Sequence, residues 1–60
     1  MTIRFMDEEI TASEEVLRDI ACTYKFASQT CAAKGYMAAA KVYADKHMSI
    51  VRAINEVMYK

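Results

Sequence analysis

Apolar side chains recur along residues 36–58 at intervals of three and four, the period of a helix with one face turned inward. With Ala40 placed at position a of a heptad, column a holds Ala40, His47 and Ile54, and column d holds Tyr36, Tyr43, Ile50 and Val57. Column e holds Met37, Ala44, Val51 and Met58, and every residue of the three columns except His47 is apolar or aromatic. Lys41, Asp45, Ser49, Arg52, Glu56 and Lys60 fall largely on the other side. Three adjacent apolar columns are wider than the two-column seam of a simple coiled coil, so one neighbouring helix cannot cover them. The preceding segment shows a narrower stripe, Leu17, Tyr24 and Cys31 beside Ile20 and Ala27, with a second strip of Cys22, Phe26 and Ala33 off that seam.

The chain has no proline and a single glycine, Gly35. These are the two strongest helix breakers, so one interruption predicts two helices, at about 11–34 and 36–60. Thr11 or Ser13 is the expected N-cap of the first. Thr11 with Glu14 fits a capping box, and Glu14 and Glu15 suit the positive end of the helix dipole. Lys34 and Gly35 read as a last-turn cation and a left-handed cap. The second helix has no Ser, Thr, Asp or Asn to cap it. A turn at Ser28-Gln29-Thr30, or one long helix kinked at Gly35, are the competing arrangements. Folding back at Gly35 sets Ile50 against Ile20, Ile54 against Leu17 or Val16, Tyr43 against Ala27, and His47 near Thr23 and Tyr24. Residues 1–10 contain the loose alternation Thr2-Ile3-Arg4-Phe5-Met6 and are read as an extended arm. A lone strand needs a partner, so the arm docks or joins a sheet with another chain.

Size changes the picture. A chain of 60 residues is one domain that buries only about 60% of its unfolded surface, and it needs a disulfide, a metal, very good helix packing or a second subunit. At 55% hydrophobic and 27% charged residues it is too apolar for disorder. Eight basic residues balance eight acidic ones, so no global field attracts nucleic acid or anionic lipid. The charges are nonetheless segregated: residues 1–19 carry six acids (Asp7, Glu8, Glu9, Glu14, Glu15, Asp19) against Arg4 and Arg18, a net of −4. No run of 18 apolar residues and no secretory leader is recognisable, and a cytoplasmic location is the expectation.

Little of the chemistry points to catalysis. On one helix Cys22 and Cys31 are about two and a half turns apart and face opposite ways, which excludes an intrachain disulfide unless the chain turns near Ser28. They read as small hydrophobes. His47, the only histidine, lies on the apolar stripe as a partly buried, hydrogen-bonded side chain. Neither Cys-x-x-Cys nor His-x-x-x-His spacing is present, and no Ser-His-Asp set can be drawn, so no metal, cofactor or enzyme activity is expected. Lys25, Lys34, Lys41 and Lys46 with the tyrosines give only a weak nucleic-acid pattern.

The expectation is therefore an all-α antiparallel helical hairpin, 11–60, with an N-terminal extended arm, 1–10, dimerising into a four-helix bundle. Its interface with a second copy or a partner is expected to use Ile3, Phe5, Cys22, Phe26, Met37, Ala44, His47, Met48, Val51 and Met58. A non-enzymatic adaptor, regulator or inhibitor acting on a larger protein is the function this suggests; a nucleic-acid-binding hairpin and a subunit of a larger helical assembly are the rivals.

Overall fold

Four elements make up the computed structural model, which describes residues 1–59: β1 (Thr2–Phe5), β2 (Glu8–Thr11), α1 (Glu14–Ala33) and α2 (Met37–Met58). Lys60, expected at the end of the second helix, lies outside the described residues. The two helices pack against each other as a hairpin, and a two-stranded sheet packs on them.

The fold is thus mostly helical rather than all-α, and the N-terminal segment is a β-hairpin rather than a single extended arm. β1 and β2 pair antiparallel with Thr2 opposite Thr11, Ile3 opposite Ile10, Arg4 opposite Glu9 and Phe5 opposite Glu8. Only Met6 and Asp7 lie between them, with φ of 52° and 65°. Positive φ at both central residues is what a tight turn matched to the twist of its strands requires. Neither residue is the glycine or asparagine that usually supplies it, which is why the turn is hard to see in the sequence. The Thr2 and Thr11 hydroxyls meet at 2.8 Å, and the Ala12 amide donates to the Met1 carbonyl at 2.9 Å, extending the pairing beyond the strands. The period of two puts Ile3 and Phe5 on one face, and both are buried against the helices. A two-stranded hairpin is marginal alone, so this docking is what holds it.

Ser13, not Thr11, caps α1. Its hydroxyl accepts from the Val16 amide at 3.2 Å, while Thr11 ends β2. Glu14 and Glu15 occupy the first turn as expected. At the other end Gly35 has φ of 84°, with Tyr36 N–H donating to Cys31 O at 2.8 Å and Gly35 N–H to Ala32 O at 3.1 Å. These are the paired bonds of a Schellman cap, so the turn falls at Gly35 rather than near Ser28. Tyr36 is the N-cap residue of α2, which has no side-chain cap.

Leu17 and Ala21 of α1, Ile50, Ala53 and Ile54 of α2, and Ile3 and Phe5 of β1 form one buried core, with Ile20 half-buried beside it. Towards the turn the helices are joined by the Ser28 hydroxyl, which donates to Ala40 O at 2.8 Å. Tyr43 meets the Tyr24 ring with centroids 6.4 Å apart.

Candidate functional site

The two edges of α2's inward face differ. Lys46 and Ala53 define one of them. There Phe5 of β1 packs on Tyr24 at 6.0 Å between ring centroids, and Lys46 Nζ lies 5.9 Å above the same Tyr24 ring. A side chain as short as Ala53 is buried only when another element covers it, and Ile3 and Phe5 share its cluster. β1 therefore closes the part of this edge around Ile50 and Ala53.

The opposite edge is the e column with Met48 just outward of it, and nothing in the described residues closes it. Met37 is 66% exposed, Met48 57% and Met58 39%. Ala44, His47 and Val51 lie half-buried among them. The seven-residue spacing of Met37, Ala44, Val51 and Met58 runs this flank almost the full length of α2. Unbranched thioethers on an exposed helix face give a contact surface that is apolar and can adapt its shape.

α1 supplies a polar margin. Arg18 Nε donates to Glu14 Oε2 at 2.8 Å, a spacing of four residues on one helix, and its Nη2 reaches Met58 Sδ at 3.5 Å. Donating this hydrogen bond to the Glu14 carboxylate raises the pKa of the Arg18 guanidinium above its ordinary value despite some desolvation. His47 Nδ1 lies 2.9 Å from Ala21 O. A carbonyl can only accept, so Nδ1 carries a hydrogen and donates. Its partner is thus the α1 backbone, not Thr23 or Tyr24; the Thr23 hydroxyl instead donates to Asp19 O at 2.9 Å.

Six of the expected interface residues, Met37, Ala44, His47, Met48, Val51 and Met58, come together on this flank. Ile3 and Phe5 do not belong to it: both are consumed by the chain's own core, because the N-terminal segment folds back on α2 instead of reaching outward. Phe26, at 71% exposure, lies on the face of α1 opposite the buried Leu17 and Ala21, while exposed Cys22 stands one turn beyond Arg18 on α1. Both cysteines are free. Among the described residues no three His, Cys, Asp or Glu side chains converge on a metal, no cleft opens between the elements, and no helix is long and apolar enough to cross a membrane.

Sequence reasoning passed over the cation above Tyr24 and the Arg18 contact that rims the flank. The Glu14-to-Arg18 spacing was a legible signal for the second; the first depends on a strand whose docking brings Phe5 to Tyr24 and leaves no periodic trace. Comparison with protein-family models, with curated proteins and with solved structures gives no match, so the reading of function rests on this geometry alone.

Proposed function

We propose that the chain is a small non-enzymatic protein–protein interaction module. Its methionine flank pairs with a second copy to form a homodimeric four-helix bundle, and the dimer serves a larger protein as an adaptor, regulator or inhibitor. The observation that carries this is the unequal treatment of the two edges of α2: β1 covers the strand-bearing part of one, while the other leaves three methionines in water along its length. Soluble monomers seldom leave a contiguous apolar patch of this kind bare. The area is sufficient. A standard interface takes about 800 Å² from each partner, under a fifth of this chain's 4464 Å² of accessible surface. A flank of a body measuring 37 by 20 by 18 Å can provide it.

Met48→Glu tests the reading with little risk to the fold, since Met48 is mostly exposed. A carboxylate at mid-seam occurs twice in a symmetric dimer and loses solvation without a partner, at about 1–3 kcal/mol or more each. Sedimentation equilibrium should show the dimer dissociation constant of Met48→Glu raised at least about 100-fold over the unaltered chain, which is roughly 2.7 kcal/mol. Phe26→Glu, on the outer face of α1, should leave the constant unchanged. A monomer at high micromolar concentration, or dissociation by Phe26→Glu and not by Met48→Glu, overturns the assignment.

A further inference from the structure

We infer that the second copy lies antiparallel on the methionine flank, its turn against the strand-bearing end of the first; this rests on the dimer reading above. Two twofold arrangements cover the same flank. One axis runs along the helices and sets like ends side by side; the other runs across them and sets unlike ends together. The charges separate the two. Residues 1–19, which fold at the open end of the hairpin, carry a net of −4, six acids against Arg4 and Arg18, and residues 45–59, from the middle of α2 to its C-cap, set Lys46 and Arg52 against Asp45 and Glu56 with no net change. Residues 20–44, which include the turn, carry Lys25, Lys34 and Lys41 and no acid, a net of +3. The parallel pair stacks acid on acid and lysine on lysine, whereas the antiparallel pair sets the lysine end of each copy on the acidic end of the other.

The apolar residues fit the same axis. Placed at the middle of α2, between His47 and Met48, the axis sets Met37 level with Met58 of the second copy and Ala44 level with its Val51. A small side chain then faces a larger one at the inner positions, as interdigitating helices prefer. At the outer positions flexible methionines face each other at both ends of the seam.

The test is pulsed electron–electron spin resonance on chains in which Cys22→Ala and Cys31→Ala remove the native thiols. One nitroxide is attached at Lys34→Cys, by the turn, or at Glu15→Cys, at the start of α1. The antiparallel pair should give a Lys34–Lys34 separation on the order of the 37 Å long dimension, and a mixture of the two labelled chains should add a short Lys34–Glu15 distance. A Lys34–Lys34 separation near the 20 Å width overturns the orientation and leaves the dimer standing. Absence of any intermolecular distance, with a monomeric mass, overturns the dimer reading itself. Salt supplies an independent sign: as the screening length falls from about 10 Å at 0.1 M to about 3 Å at 1 M, the antiparallel pair weakens several-fold. Strengthening over that range refutes the antiparallel order.

Discussion

Phe5→Ala measures whether the N-terminal hairpin is part of the fold or an appendage to it. Phe5 is 8% exposed, belongs to the core with Ile3, Ile50, Ala53 and Ile54, and stands 6.0 Å from the Tyr24 ring at an interplanar angle of 40°. Truncating a buried phenylalanine costs about 3–5 kcal/mol, comprising lost transfer energy and the cavity left behind. The lower part of that range applies here, because a hairpin at the edge of a small protein can settle into the space. Of the total, about 0.5–1.5 kcal/mol belongs to the Phe5–Tyr24 pair itself. A chain of this length has a stability of roughly 3–9 kcal/mol at 0.05–0.15 kcal/mol per residue, so one substitution removes a third or more of it. Urea unfolding followed by the helical circular-dichroism signal should show the midpoint falling steeply at constant slope. A double-mutant cycle with Tyr24→Ala should return a coupling within the range given for the pair. A loss below about 1 kcal/mol with no coupling would refute the docking, because β1 would then contribute nothing to the helical core.

Two further substitutions probe the turns. Gly35→Ala places a methyl group where nothing lies within 4 Å, so its cost is purely that of holding φ at 84°, about 1–2 kcal/mol, read as a lower thermal midpoint with an unchanged native spectrum. No loss would mean that the Schellman cap is not formed. Met6→Asn with Asp7→Gly supplies the residue types that the two positive-φ positions favour and should stabilise the chain by about 1 kcal/mol, raising the midpoint by roughly 4–8 °C. A lower midpoint would show that the strands are not joined by this turn.

The helices were legible because their evidence is repeated. Leu17, Tyr24 and Cys31, or Tyr43, Ile50 and Val57, state the same period several times, and Gly35 adds a single backbone requirement that only one residue type meets cheaply. The e-column methionines were legible for the same reason, since an apolar stripe wider than one partner helix can cover shows in the spacing itself. The hairpin was not. Four-residue strands give two inward positions each, Met6-Asp7 is an unusual turn pair, and Glu8-Glu9 resembles a solvated charge run. Which edge of α2 the hairpin would close was also invisible, because Ile3 and Phe5 have a period but no address: Lys46 and Ala53 became an edge only when the strand packed there.

Length decides how far that cover reaches. A four-residue strand extends about 13 Å, whereas the 22 residues of α2 span about 33 Å, so β1 can close less than half of one edge. The distribution of buried side chains follows from this mismatch. Ile3, Phe5, Leu17, Ala21, Ile50, Ala53 and Ile54 all lie in the half of the molecule that carries the strands, and in the half near the turn Ala40 is the only buried hydrophobic among the described residues. Phe26, Tyr36, Met37 and Val42 are exposed in that thinner half. The antiparallel second copy proposed above would set the strand-bearing half of one chain beside the thin half of the other, on the methionine edge that the strand does not touch. On that proposal, the arrangement favoured by the charges would also place apolar contact where the chain's own packing is weakest.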